Sequence, residues 1–541
     1  MMKVVKGITR IFKRFFDKVR KHSLSLVTLW LVFISISGVN LKTREWENPI
    51  RIIQDDVHLY YIYLPAAFVY HDPAFGFFLK EPDYQSKFWI SAHPETGVRI
   101  PKMSMGMAMV YAPFFLFTHY IVMPLTGAAG GVYAIPYKVA LVIASLLFLL
   151  LGLFMLRKLL LSYFDEAAVA ITLVVVAFGT NMLWYVTHEP AMSHIFSFAL
   201  ILLMAVQTQR WLAKPGLKQS LLLGLLFGLI VLIRPTNIIF GMIILLMPGE
   251  GTYRFGERLR FIFRHYTGML VMVAGFLLIW APQLAFWKFA SGSWFYYTYG
   301  EEGFFFSRPQ IFSSLFSWRK GWLVYTPLML LAFAGLPFLF RRQRGLFNLT
   351  AIMLVLLTWV NASWWCWWFG GSFGNRAYID GYGIFAFGVA AVAQAMFAQR
   401  FRALRIVFLL VTGFFVFLSV YQQWQYRQGL IHYVSMTRAV YFNSLFRTTH
   451  NPMLLDPLID PDHNAGMKGI YYPLHEISRA EKQVRNNRIM NDLPYLRNYL
   501  KDKAARDPGL MQSILRSSSQ KDDTARAVEV WADKEIIRMM Q

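Results

Sequence analysis

Long apolar runs separated by short polar and basic segments set the pattern of this chain. They cover Leu24–Val39, Ile135–Leu156, Ala167–Tyr185, Ala191–Val206, Leu221–Ile233, Met269–Phe289, Trp322–Phe340, Leu346–Val360, Ile379–Phe397 and Ile406–Tyr421. Each approaches the roughly 20 residues a helix needs to cross a bilayer. The runs are continuous, whereas the strands of a membrane barrel alternate. The pattern therefore predicts an all-α polytopic membrane protein.

Basic residues orient the runs. The N-terminus (Lys3, Lys6, Arg10, Lys13, Arg14, Lys18, Arg20, Lys21), Arg157-Lys158, Gln209–Lys218, Tyr253–Arg264, Arg341–Arg344 and Gln399–Arg405 are assigned to the cytoplasm by the positive-inside rule. Threading the runs between these points predicts about eleven transmembrane helices. Met105–Val122 is apolar enough to span, but counting it would put Arg157-Lys158 outside, so it is read as an interfacial or re-entrant helix. His58–Tyr70, rich in Tyr and broken by Pro65, is read as a second interfacial helix. The expected divisions are a cytoplasmic basic segment (1–22), a transmembrane domain (23–424) with a long first outer loop (40–103), and a small helical extracytoplasmic region (425–541). Helical periodicity and mixed charge mark Ser478–Gln541. The other outer segments are Thr187–Pro190, Ser291–Lys320 and Ser363–Asp380.

Composition agrees: 56% of the 541 residues are hydrophobic and 16% are charged, which is unlike a soluble protein of this length. The net charge of +24 falls between apolar runs, where it meets anionic lipid. No recognition module accompanies it, so nucleic acid is not an expected partner. Cys366 is the only cysteine, which excludes an intrachain disulfide and a multi-cysteine metal site. The basic-then-apolar N-terminus resembles a signal peptide, but no small-residue cleavage site follows. An uncleaved first helix is expected.

The most informative polar feature is Asp55-Asp56, just past the first span. Ionisable residues at membrane depth are functional candidates. On a helix starting there, Asp56 shares a face with Tyr60. A carboxylate near an acceptor hydroxyl serves as general base; an N-cap is the plainer role. His188-Glu189-Pro190 with His194 supplies a second acid. Pro190 in a first turn and Glu189 at a helix N-terminus are also ordinary punctuation. His188, Glu189 and His194 could join the aspartates around a divalent metal, but their spacing is no recognised metal pattern, and no cofactor is expected. Arg99-Ile100-Pro101-Lys102 either snorkels or holds a lipid-linked phosphate.

The stretch Ser363–Arg376 combines Trp364, Trp365, Trp367 and Trp368 with Gly370-Gly371-Ser372-Phe373-Gly374-Asn375-Arg376, followed by Tyr378 and Asp380. The tryptophans alone would fit an interfacial belt. Glycines allow close backbone approach and Arg376 offers a planar fork for phosphate, so a donor site is the reading. Arg234, at a turn between spans, either reaches the same cavity or snorkels. Ser317–Gly321 flanks a span.

These features together resemble the GT-C superfamily of membrane glycosyltransferases, which includes protein O-mannosyltransferases and the aminoarabinose transferase of lipid A. The resemblance covers roughly residues 20–425. It matches a first span, an acid opening the outer loop (Asp55-Asp56), Tyr60 four residues on, two interfacial helices, a second acid (Glu189) and a base beside proline (Lys102 beside Pro101). The Gly370–Arg376 signature resembles that of uncharacterised bacterial members, as do His188–Phe198 and Ile233–Asn237. The chain departs from the plan in its Asp-Asp order, which leaves the base unassigned with Asp56 preferred over Asp55, and in its His188-Glu189 pair.

The resemblance implies a glycosyltransferase that moves a sugar, with inversion, from a polyprenyl-phosphate donor to an extracytoplasmic lipid, glycan or protein acceptor. It also implies a bacterial inner membrane. Asp56, Asp55 and Glu189 would act in catalysis, Lys102, Arg376, Arg99 and Arg234 at the donor phosphate, and Tyr60, His188, His194, Trp368 and Tyr378 along the substrate. The alternatives are a transporter or flippase of a lipid-linked glycan, or a scaffold. A transporter would more often show paired repeats, which this chain lacks.

Overall fold

The computed structural model describes residues 23–77, 90–249, 255–449, 458–471, 493–517 and 523–540. The basic segment 1–22 and part of the first outer loop (78–89) lie outside the described residues. Among the described residues there is no strand, only two isolated bridges, Ala92 to Arg99 and Phe304 to Trp364. Among the described residues, eight helices are long and apolar enough to cross a membrane by length and composition. Three shorter apolar helices accompany them: Glu166–Phe178, Leu217–Ile233 and Pro235–Leu246. The protein is thus an all-α, multi-helix membrane protein. It divides into two compact units; the first holds Met1–Ser317, Gly321–Phe369 and Phe373–Gln423.

Hydrogen bonds show which helix ends lie together in the first unit. At one end, Arg157 Nε donates to Ser25 Oγ (2.7 Å), and Glu166 accepts from the Ser25 amide (2.7 Å). This joins the start of the first span to the end of Ile135–Leu161. At the other end, Asn40 Nδ2 donates to the Val186 carbonyl (3.2 Å), and Lys138 Nζ to those of Asn48 (2.9 Å) and Pro49 (2.8 Å). The chain therefore leaves the first span and enters Ile135–Leu161 at the same end of the bundle. The described residues between them leave from that end and return to it.

That placement explains the Gly106–Thr126 segment. It is one continuous helix of 21 residues, long and apolar enough to cross a membrane by length and composition. Its contacts are nevertheless with helix ends. The Met105 amide donates to Gln283 Oε1 (2.8 Å), Tyr111 to the Ala191 carbonyl, and Phe115 stacks on Tyr137 at 5.1 Å. A Cβ at Gly106 would lie 2.5 Å from the Ile233 amide nitrogen, so only glycine lets the two backbones meet. The helix passes across the ends of several spans.

Three expectations change. His58–Tyr70 is two short helices, Asp55–Tyr61 and Tyr63–Phe68, and the first begins at Asp55 with Gln54 as its N-cap. Neither aspartate is the N-cap. The run Ala167–Tyr185 breaks at Gly179-Thr180-Asn181 into Glu166–Phe178 and Met182–Thr187. The run Trp322–Phe340 is a chain of short helices, Trp322–Tyr325, Pro327–Met329, Leu330–Ala334 and Leu336–Arg342. Pro327 and Pro337 lack the amide that a continuous ladder needs, and hydropathy alone does not register the loss.

The helices Ser193–Ala213 and Arg376–Phe397 are the most enclosed, 78% and 89% buried over their spanning windows. Both begin at the end that carries the acidic loop.

The second unit comprises Trp318–Lys320, Gly370–Ser372 and Trp424–Gln541. In it Lys320 donates to the Ser372 carbonyl, and the Ser372 amide to that of Tyr433 (3.1 Å). Its last part forms helices Leu493–Arg506, Pro508–Ser517 and Thr524–Met540 around Ala504, Ile514, Ala527 and Val528. Residues 478–492 of the expected helical region lie outside the described residues.

Candidate functional site

Asp55 and Asp56 occupy the first turn of the Asp55–Tyr61 helix, where negative charge is favourable. Asp55 takes φ +46°, a left-handed conformation that Asp and Asn tolerate better than other residues with a Cβ. Asp56 Oδ2 accepts from Arg376 Nη2 at 2.9 Å, with side chains 27% and 17% exposed respectively. This contact joins positions 320 residues apart, the acid of the Asp55–Tyr61 helix and the arginine of the glycine-rich signature. Burial raises the Asp55 pKa above its ordinary value, and the neighbouring Asp56 charge raises it further; Arg376 and Arg51 oppose.

Tyr60 is 4% exposed. Burial and then Asp56 push its phenol up to about 12, against Arg234 and Arg376. It is thus a neutral phenol at physiological pH, suited to hydrogen bonding. Glu189 and Tyr185 lie in the electrostatic surroundings of Arg376 together with Asp56 and Tyr60. Glu189 accepts from the Trp184 indole (2.9 Å), and the His188 ring lies flat on the same indole at 4.2 Å. Trp184 therefore orients both residues of the second acidic motif. His188 also faces Glu45 at 3.9 Å.

A second charge cluster lies deeper. His194 Nδ1 is 2.9 Å from Asp380 Oδ1, and both side chains are 1% exposed. A carboxylate requires a donor, so the proton is assigned to Nδ1. Arg234 Nε lies 3.6 Å from Asp380 Oδ2. Its Nη1 is 3.0 Å from His194 Nδ1 and 3.2 Å from Nε2. A nitrogen in the ring plane at both distances would collide with Cε1, so the guanidinium sits over the imidazole face. Arg234 and His194 are brought together by Asp380, which the motif reading left without a role.

The remaining residues separate. Lys102 Nζ pairs with Glu302 Oε1 at 2.5 Å and lies 5.0 Å from the Tyr299 ring centroid. Glu302 also accepts from the Trp365 indole at 2.9 Å. Tyr299 is in the electrostatic field of Tyr60, Asp56 and Arg234, and burial raises its pKa. Arg99 Nη1 donates to the Ile90 carbonyl at 2.8 Å, closing its own loop. Trp368 packs edge-on to Trp367 (5.6 Å) and Trp365 (6.1 Å). Tyr378 stacks on Trp322 at 4.1 Å, and its hydroxyl meets Ser314 Oγ at 3.0 Å in the core.

The turn before Arg376 is shaped by Gly374 at φ +60°, where a Cβ would meet Tyr325 Cβ at 3.1 Å. Asn181 fastens this turn by donating to the Phe373 carbonyl (3.2 Å), and accepts from the Tyr382 hydroxyl (2.6 Å). Among the described residues no group of three or more His, Cys, Asp or Glu converges as metal ligands, so the alternative set of His188, Glu189, His194 and the aspartates is not assembled.

Sequence reasoning missed Glu302, Tyr299, Trp184 and Asn181. Only Glu302 carried a signal, as an acid in an aromatic segment between apolar runs. Comparison with protein-family models finds no match, and comparison with curated proteins finds none.

Proposed function

We propose that this protein is a membrane glycosyltransferase of the GT-C type, taking its sugar from a polyprenyl-phosphate donor and passing it to an extracytoplasmic acceptor. The observation that carries the reading is the Asp56–Arg376 contact. It sets a proton-accepting acid pair beside a guanidinium suited to phosphate. The acceptor hydroxyl gives its proton to an aspartate as its oxygen attacks the anomeric carbon. The bond from that carbon to the lipid phosphate breaks with inversion, and Arg376 stabilises the departing phosphate. We assign the proton to Asp55, whose pKa lies above its ordinary value through burial and then the Asp56 charge, and the orientation of Arg376 to Asp56. This reverses the sequence preference. Tyr60 and Glu189 would position the acceptor.

The same reading includes eleven crossings, counting the interrupted and short helices, with Gly106–Thr126 interfacial. The end opposite the acids carries Arg157, Lys158, Lys214, Lys218, Arg341, Arg342, Arg402 and Arg405, which supports a cytoplasmic assignment for it and an extracytoplasmic site in a bacterial inner membrane.

The test is mass spectrometry of lipids that co-purify in mild detergent. Asp55→Asn should retain the glycosylated lipid, Arg376→Ala should lose it, and the wild type should carry free polyprenyl phosphate. Transfer by Asp55→Asn should fall by about 10²–10⁴-fold. If no polyprenyl species accompanies any well-folded form, the donor reading falls. If Asp55→Asn and Asp56→Asn both keep full transfer, the acid assignment falls.

A further inference from the structure

The segment 292–316 connects the helix Tyr266–Ser291 to the interrupted run that begins at Trp322. It lies outside the candidate spans, yet Trp294 (63%), Phe295 (67%), Tyr297 (49%), Phe306 (45%), Phe312 (69%) and Phe316 (43%) are exposed. Single exposed apolar residues need no explanation, whereas clustered ones do. Its opposite side is firmly held. Thr298 Oγ1 donates to the Lys102 carbonyl (2.6 Å), the Phe305 amide to the Ser363 carbonyl (2.6 Å), and the Trp365 amide to the Gly303 carbonyl (3.0 Å). The aromatics are therefore presented by a pinned shelf.

The exposed surface continues that of two candidate spans. On Tyr266–Ser291, only 17% buried over its spanning window, the exposed residues Leu277, Leu278 and Phe289 lead towards Trp294 and Phe295. On Arg344–Ser363, Val355 and Trp359 are exposed. Phe306 packs on Trp359 at 4.8 Å, and its carbonyl accepts from the Trp359 indole at 3.3 Å. Lipid covers the exposed faces of spanning helices, and aromatic rings concentrate where acyl chains give way to headgroups.

We infer that segment 292–316 is a lip seated in the bilayer at the boundary between headgroups and acyl chains. Its aromatic rings enter the lipid, and its inner side holds Lys102, Glu302 and Tyr299 at phosphate level. The occupant of this face is lipid.

Spin labels test it in the full chain reconstituted in phosphatidylethanolamine–phosphatidylglycerol vesicles, on a Cys366→Ala background that removes the sole native cysteine. Phe295→Cys and Phe312→Cys report on the lip, Val355→Cys on the acyl region and Arg308→Cys on the exposed polar side. The lip labels should be relaxed more by oxygen than by a water-soluble nickel chelate, as at position 355, with the order reversed at position 308. Lip labels that respond as at position 308 overturn the proposal. So do lip labels shielded from both relaxants and broadened by one another, which would mean that a second copy covers the face. Trp294→Phe supplies a conservative check: the share of tryptophan emission quenched by brominated lipid should fall below that of the wild type. An unchanged share overturns the proposal as well.

Discussion

Two charge clusters sit at the same end of the helical bundle and are built in opposite ways. Asp380, His194 and Arg234 join the starts of the two most enclosed helices to a turn between spans, with acid and imidazole sealed from solvent. Asp55, Asp56 and Arg376 join a loop helix to the glycine-rich turn and keep partial access to solvent. A sealed ion pair holds structure, because leaving either partner alone in a low-dielectric interior is costly. A pair at a rim exchanges partners at small cost and can admit a hydroxyl or a phosphate. The buried cluster thus sets where helices begin, and the rim cluster is the one able to exchange partners.

The largest effect that tests this contrast is Asp380→Ala. It strips Arg234 and His194 of their carboxylate and should cost about 3–5 kcal/mol of stability, read as a lower unfolding midpoint in detergent. Asp380→Asn should cost less, because an amide oxygen still accepts from His194 Nδ1. Asp56→Asn should cost about 1 kcal/mol or less. If Asp56→Asn destabilises as much as Asp380→Ala, the two clusters do not differ in kind.

Gly374→Ala comes next. At φ +60°, with Tyr325 Cβ 3.1 Å from the added carbon, the substitution should cost roughly 1–2 kcal/mol and displace Arg376. Loss of the Arg376-dependent lipid signal with little loss of stability would show that the turn serves the rim cluster. The reverse pattern would make it a packing element. Lys102→Met tests an intermediate case. Its pair with Glu302 is 33% and 21% exposed, so breaking it should cost no more than about 1 kcal/mol. A larger loss in thermal unfolding would put this pair with the buried cluster.

The fold was legible where physics is local. Continuous apolar runs marked the helices, and basic clusters marked the end at which Ser25, Arg157 and Glu166 meet. The breaks at Gly179–Asn181 and after Tyr325 were not legible, because hydropathy averages over the missing backbone hydrogen bonds. At the site, Asp56, Arg376, His194 and Arg234 stood out as charges near apolar runs. Their partners did not: that Arg376 faces Asp56 while Arg234 faces Asp380 is set by packing across hundreds of residues. Asp380 followed the glycine-rich signature with no role of its own, and Trp184 was one residue within an apolar run.

The smallest effect bears on why two aspartates stand side by side. The folded-state pKa of Asp55 lies above its ordinary 3.8, through burial and then through Asp56. The protonated form is therefore favoured by folding, and the ionised form is a liability. That liability is absent below the ordinary pKa, grows as pH rises from there to the folded-state value, and is constant above it. Asn tolerates the left-handed backbone at this position, so Asp55→Asn removes the charge without adding strain. The variant should unfold at a higher temperature than the wild type at neutral pH, and the gap should close as pH falls towards 3.8. A gap that is flat with pH would mean that the ionised side chain carries no penalty, and would remove the reason to prefer Asp55 as proton acceptor. A gain in stability joined to a loss of transfer would mean that the fold retains a strained acid against its own stability, as functional groups often are. The buried cluster should show no such opposition: Asp380→Ala is expected to lower stability and transfer together.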